Sequence, residues 1–195
     1  MTEAQLKIYK DFLESDEVRD VLMTKKSPLV QCTVLKKICD HPRRMSNRAC
    51  QQVGLMVNHN ETMDEIQATQ CAANRIDDVS VERLMSESGK LRVFFHLVDA
   101  LKDEKMLVFS QSIKILDMLE KIIESKNIKM IRMDGSDKST IREEKVQKFQ
   151  NNTRIKAFLL TTGVGSVGLT LTAATTVIIF DPDWNPSKDD QAVDR

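Results

Sequence analysis

Ala157-Phe-Leu-Leu-Thr-Thr-Gly-Val-Gly-Ser-Val-Gly168, followed after eight residues by Val177-Ile-Ile-Phe-Asp181, is the stretch whose reading decides the fold. A short apolar run ends in two threonines and a glycine loop, and a second apolar run begins soon after, so both runs read as strands buried on two faces. Working outward, Met106-Leu-Val-Phe-Ser110 and Lys129-Met-Ile-Arg-Met133 have the same texture. Leu91 to Leu101, Ile113 to Ser125 and Ser139 to Gln150 carry apolar residues at helical spacing. Strands separated by helix-length crossovers predict an α/β lobe with a parallel sheet and helices on both faces. Ligands in such sheets bind beyond the carboxyl ends of the strands. Those ends are Ser110-Gln111, Asp134-Gly135, Thr161 to Gly168 and Asp181 to Pro186.

The first part of the chain is different. Leu6, Tyr9, Phe12 and Leu13, and then Val34, Leu35 and Ile38, recur at helical spacing, and no strand is predicted before about Leu84. Pro28 and Pro42 bracket the second helix, and Pro42 stops it. Thr24 to Arg48 holds seven basic residues against Asp40, a solvated face or the lining of a nucleic-acid path. Glu61 to Glu87 holds seven acidic residues against two arginines. The predicted organisation is a helical segment over residues 1–83, with a mobile insertion at about 49–81, and an α/β lobe over 84–195.

Composition removes several classes. The chain has 29 basic and 29 acidic side chains, so no net field draws it to a polyanion or a membrane. Its apolar runs are too short to span a bilayer, and Met1-Thr-Glu-Ala-Gln-Leu-Lys7 lacks a signal-peptide pattern, so an intracellular protein without a membrane partner is predicted. Cys32, Cys39, Cys50 and Cys71 form no C-x-x-C pair. Cys39 and His41 are close, but with three histidines in the chain no four-ligand zinc set forms, and no metal site is predicted.

Gly163-Val-Gly-Ser-Val-Gly168 spells G-x-G-x-x-G, and Asp181 lies eighteen residues beyond Gly163. One reading is a dinucleotide fold, with the glycines at a pyrophosphate and the aspartate on a ribose, as in a nicotinamide oxidoreductase. That reading requires a helix between Gly168 and Val177, where only Leu-Thr-Leu-Thr-Ala-Ala-Thr-Thr stands. The other reading is a phosphate loop of a different kind, with hydroxyls from Thr161 and Thr162 and glycines that let backbone amides approach an anion. A plain tight turn is the third.

Seven blocks, in order, carry a family resemblance. Thr162 to Ala174 and Val177-Ile-Ile-Phe-Asp-Pro-Asp-Trp-Asn-Pro186 resemble motif V and its continuation in the Snf2 family of DNA translocases. Asp189, Gln191-Ala192 and Asp194-Arg195 resemble the start of motif VI, and Leu107-Val-Phe-Ser-Gln111 resembles motif IV. Asp134-Gly-Ser136 with Arg142 and Phe149, Leu35-Lys-Lys-Ile-Cys-Asp-His-Pro42, the helix with Thr2, Gln5 and Tyr9, and Ser88-Gly-Lys90 complete the set. Leu169-Thr-Leu-Thr-Ala-Ala174 with Phe180-Asp-Pro182 is most similar to the excision-repair-6-like branch.

The resemblance implies the second of two RecA-like lobes, which together clamp ATP and Mg²⁺ while gripping double-stranded DNA by its backbone. It implies a nuclear protein of chromatin, DNA repair or chromosome segregation. Gly165, Gly168, Gln191, Asp194 and Arg195 would face the nucleotide, with Arg195 also the catalytic candidate. Ser110, Gln111, Thr161, Thr162 and Trp184 would face DNA phosphates or the groove; Ser110 and Thr161 are equally suited to capping strand ends. His41-Pro42 reads as a structural helix stop. The chain has no G-x-x-x-x-G-K-[S/T] and no acidic Mg²⁺ box, so it reads as a fragment, inactive alone, whose partner is the N-terminal lobe of the same protein. The family's second motif VI arginine would come three residues after Arg195; its absence would favour a non-catalytic lobe kept for DNA or protein binding. Gly163 and Ser166 depart from the family pattern, which often has a long side chain and a glycine there.

Overall fold

The computed structural model describes residues 1–24, 27–45, 76, 79–165 and 170–194. The 49–81 insertion expected from the sequence falls almost wholly outside them. The chain forms two compact units, Met1–Phe94 and Phe95–Arg195.

In the first unit, α1 (Glu3–Leu13) starts on a reciprocal cap. The Thr2 hydroxyl accepts Gln5 N–H at 3.2 Å, and Gln5 Oε1 accepts Thr2 N–H at 3.1 Å, which satisfies two amides that helix geometry leaves over. A second helix, α2 (Asp16–Met23), was not foreseen; its start is marked by Ser15 and two acidic residues. α3 (Leu29–Asp40) ends where predicted, before a single 3₁₀ turn at Pro42–Arg44. Ile8, Phe12, Ile38 and Met45 are the small core. α4 (Val81–Glu87) and α5 (Gly89–Ala100) follow.

A polar hub holds this unit together. Asp40 is fully buried between Lys90 Nζ (2.5 Å) and the Arg44 guanidinium, and its carbonyl accepts the Ser88 hydroxyl at 2.7 Å. Arg43 is bidentate on Glu87 (2.5 and 2.7 Å). These arginines are tied up in ion pairs, so the described part of the basic stretch is not a bare cationic face.

The second unit carries the sheet. Strands β1 (Met106–Ser110), β2 (Lys129–Met133), β3 (Ile155–Thr161) and β4 (Thr176–Ile179) are all parallel, in the order β2-β3-β1-β4. Helices α6 (Ile113–Ser125) and α7 (Ser139–Asn151) are the crossovers. The predicted fourth strand ran to Asp181; β4 stops at Ile179, and Phe180 N–H makes the last bond, to Phe109 O at 2.9 Å. Pro182, lacking an N–H, cannot extend the ladder.

Both central strands are buried, and alternate residues define the two faces. Leu107, Phe109, Ile131, Met133, Phe158 and Leu160 pack with Phe149 of α7, Val164 and Leu171. Met106, Val108, Ala157 and Leu159 point the other way, where α6 packs on β1, β2 and β3. The path from β1 to β2 runs toward one edge and uses α6; the paths from β2 to β3 and from β3 to β4 run the opposite way and use the other face. Crossovers of one hand require this pairing of direction and face. As a result the chain leaves β1 toward one face and leaves β3 toward the other, and a crevice opens between the ends of these neighbouring strands.

Candidate nucleotide and nucleic-acid rim

Three turns and one short helix build the crevice. After β1, the buried Ser110 hydroxyl accepts Ser112 N–H at 3.1 Å, which tightens the turn and leaves Gln111 exposed at its tip. Gln111 is held in turn by the fully buried Asp181: its N–H donates to Asp181 Oδ1 at 2.9 Å, and its Nε2 to the Asp181 carbonyl at 3.2 Å. After β3, one helical turn, α8 (Thr162–Gly165), replaces an open loop and plants Val164 in the core. A Cβ added at Gly163 would meet nothing within 4 Å, so the departure from the family pattern there leaves open space and is not imposed by sterics.

After β4, Asp183 organises the approach to the last helix, α9 (Pro186–Val193). It accepts Asn185 N–H at 3.0 Å and pairs with Lys188 Nζ at 3.1 Å, while its own N–H is held by Asp189 at 3.0 Å. Asn185 caps the helix through Ser187 N–H, and Pro186 takes the first turn, where no amide is needed. Trp184, at the outer tip of this loop, is 89% exposed.

Gln111, Thr162, Gly163, Asp183, Lys188 and Gln191 line the resulting cavity of about 370 Å³. Thr162 offers a hydroxyl, Gln111 and Gln191 offer carboxamides, and Lys188 an ammonium; Asp183, its carboxylate, is already taken up by Asn185 and Lys188. Such donors suit oxygens of a phosphate chain and hold them without reading a base.

The structure therefore brings together Gln111, Thr162 and Gln191 among the residues singled out from sequence. Thr161 ends β3, half-buried and on the same edge, and Gly165 closes the helical turn. Asp194 is exposed just past α9, its N–H bonded to Asp190 O. Ser110 is withdrawn from the surface by its turn. Gly168 and Arg195 lie outside the described residues. Asp183 and Lys188 were missed; the Asp-x-Asn-Pro pattern of a helix cap was the available signal. Between Gly168 and Val177 the described residues, 170–175, form turns and no helix, contrary to what the dinucleotide reading requires.

A crevice of this kind, at the diverging ends of a parallel sheet, marks the ligand-binding edge of an α/β lobe. The family model of the helicase conserved C-terminal domain matches residues 89–195, and the chain belongs to that family as a Snf2-type C-terminal lobe. It is 46% identical over 195 residues to the DNA excision repair protein ERCC-6-like of Mus musculus and 44% identical over 200 residues to that of Homo sapiens, with 98% of the chain covered in each case. The chain spans only 16% and 15% of those two proteins. The C-terminal part of the Fun30 ATPase domain superposes with a TM-score of 0.70 at 24% identity, over 100% of this chain and 76% of that one. The SWI2/SNF2 ATPase core of Sulfolobus solfataricus, solved in complex with dsDNA, gives 0.69 at 23% identity over 97% of this chain and 35% of that one. Both likenesses are of fold.

Proposed function

We propose that this chain is the second lobe of an ATP-dependent double-stranded DNA translocase of nuclear chromatin, acting in DNA repair or chromosome segregation. The observation that supports the reading is the crevice: two divergent turns and a capped helix line one cavity with hydroxyl, carboxamide and ammonium groups at the sheet's carboxyl edge. The ERCC-6-like relatives support the repair context, and the DNA-bound archaeal core supports the substrate.

In this reading Gln191, Asp194, Arg195, Gly165 and Gly168 form the nucleotide side. Gln111, Thr161, Thr162 and Trp184 form the DNA side, with Ser110 fixing the turn that presents Gln111. ATP with Mg²⁺ supplies the energy of the stroke when bound against an N-terminal lobe that carries the phosphate loop. This lobe's share is positional: amide and hydroxyl donors hold phosphate oxygens, and Arg195 adds a planar cation. Closing and reopening of the two lobes then advances the DNA backbone.

The test uses the two-lobe protein, with DNA-stimulated ATP hydrolysis as the readout. Gln191→Ala is expected to lower stimulated turnover by roughly tenfold, the scale of one lost charge-assisted contact. Trp184→Ala is expected to raise the DNA concentration needed for stimulation while leaving stability within about 0.5 kcal/mol, because the ring packs on little. DNA-stimulated turnover by the 195-residue chain alone, or a two-lobe protein indifferent to DNA, refutes the proposal.

A further inference from the structure

The connection from the glycine turn back to β4 is gripped by a side chain that no motif includes. Gln150 stands one residue before the end of α7, and both ends of its carboxamide are used. Nε2 donates to the Thr170 carbonyl at 2.8 Å, and Oε1 accepts Ala173 N–H at 2.9 Å. Between those two backbone groups Leu171 is buried in the core, beside Ala173 and Ala174, and Ala174 N–H closes a turn onto Leu171 O at 3.2 Å. A carboxamide carries a donor and an acceptor on one rigid plane, so a single side chain can satisfy both polar groups of such a turn.

The grip is itself anchored. Lys105 Nζ reaches the Phe149 carbonyl (2.5 Å) and the Gln150 carbonyl (3.4 Å), placing a cation on the carbonyl end of α7. The same lysine's backbone carbonyl accepts Thr175 N–H (2.9 Å) and Thr176 N–H (3.3 Å), where β4 begins. Burial and the neighbouring charge of Lys156 hold the Lys105 pKa below its usual value. At the other foot, Val164 sits in the same core as Leu171. The helical turn at Thr162–Gly165 is therefore tied down by packing, and residues 170–173 by Gln150.

We infer that Gln150 is a positioning residue of the motor: by holding Thr170 and Ala173 it seats Leu171 in the core that Val164 shares, and with it steadies the helical turn that places the Thr162 hydroxyl on the rim. This rests on the reading of that rim as the phosphate-binding edge of a DNA-dependent ATPase. Gln150 is not among the residues that line the cavity, so its removal weakens the coupling of DNA binding to hydrolysis. The hydrolytic groups themselves stay in place.

The experiment compares Gln150→Ala and Gln150→Glu with the wild type in the two-lobe protein, measuring stimulated and unstimulated ATP hydrolysis with a plain duplex, and amide hydrogen exchange at Ala173. In the alanine variant the ratio of stimulated to unstimulated hydrolysis is expected to fall roughly fivefold, about one net hydrogen bond, with Ala173 exchanging roughly tenfold faster. The glutamate variant keeps the acceptor for Ala173 N–H and is expected to lie between wild type and alanine in both readouts. An unaltered ratio, whether both rates hold or both fall in parallel with the melting temperature, overturns the inference, as does unchanged exchange at Ala173. If the wild-type protein shows no response to DNA, the motor reading fails, and the exchange measurement, which needs no DNA or nucleotide, still decides whether Gln150 holds the turn.

Discussion

Acid should unfold the helical unit through one imidazole. His41 is fully buried, and both its ring nitrogens are committed: Nδ1 accepts Arg43 N–H at 3.1 Å, and Nε2, which therefore carries the proton, faces the Leu84 carbonyl at 3.3 Å. Protonating Nδ1 would set two donors head to head in a site closed off from solvent. Burial is the chief reason that its pKa drops from 6.5 to about 4; Glu87, 3.9 Å away, and the Leu84 carbonyl oppose the drop, and Arg43 adds to it. Between these two values the unfolded chain binds the proton that the folded chain refuses, so stability is full above pH 6.5 and declines as the pH falls toward 4. From pH 7 to pH 5 the loss is about 2 kcal/mol, approaching roughly 3 kcal/mol below pH 4. Glu87 does not confuse that window. Burial alone would raise its pKa, but the bidentate Arg43 pair, with Arg83 and His41, holds it below 4.5, so its own contribution fades only in stronger acid.

The assay is urea denaturation at pH 7, 6 and 5, followed through Tyr9, the chain's sole tyrosine, which packs on the core of this unit. A Trp184→Phe background keeps the tyrosine emission readable. His41→Asn, whose side-chain oxygen can replace Nδ1 as acceptor for Arg43 N–H, is expected to be less stable at pH 7 and to lose the slope between pH 7 and 5. A wild-type midpoint that is flat over that range, or an asparagine variant that retains the slope, refutes the reasoning.

Two further outcomes concern packing and buried charge. Phe149→Ala is expected to cost the α/β unit about 4 kcal/mol by chemical denaturation, because the ring is fully buried, lies 5.1 Å from Phe158 and supports Lys105 at 4.9 Å. Asp40→Ala strands Lys90 and Arg44 at the hub and is expected to destabilise the helical unit by about 2 kcal/mol, below the range for fully enclosed pairs because the Lys90 side chain is 38% exposed. Asp40→Asn keeps the shape but only one acceptor oxygen for two cations, one of which then faces an NH₂ donor, so it should recover only a small part of that loss in the same titration.

Much of the α/β unit was legible from the one-dimensional pattern because its strands are mostly apolar runs and α6 and α7, at 13 residues each, have the length of a crossover. Met106–Ser110 and Lys129–Met133 appear with the predicted bounds. The helical unit was less legible. α2 has no fully buried residue, so its apolar signal is weak, and the hub around Asp40 joins residues up to fifty positions apart that no local pattern connects. On the rim, Gln111, Thr162 and Gln191 were found through family motifs, whereas Asp183 and Lys188 look like an ordinary charged loop until the helix cap they build is seen.

Sequence alone determined the class of fold, the order of the strands and crossover helices in the α/β unit, and the edge of the sheet that bears the unusual residues, because periodicity and glycine placement are local properties. Tertiary structure decided which of those residues meet. The strand order β2-β3-β1-β4 puts the turn after Ser110 beside the turn after Thr161, fifty-one residues later, and opens a crevice between them. It also turned Ser110 inward, and gave Gln150 a task that its position late in a polar helix does not announce. Those outcomes depend on pairings across the sheet, and the energies that select them are summed over the whole core.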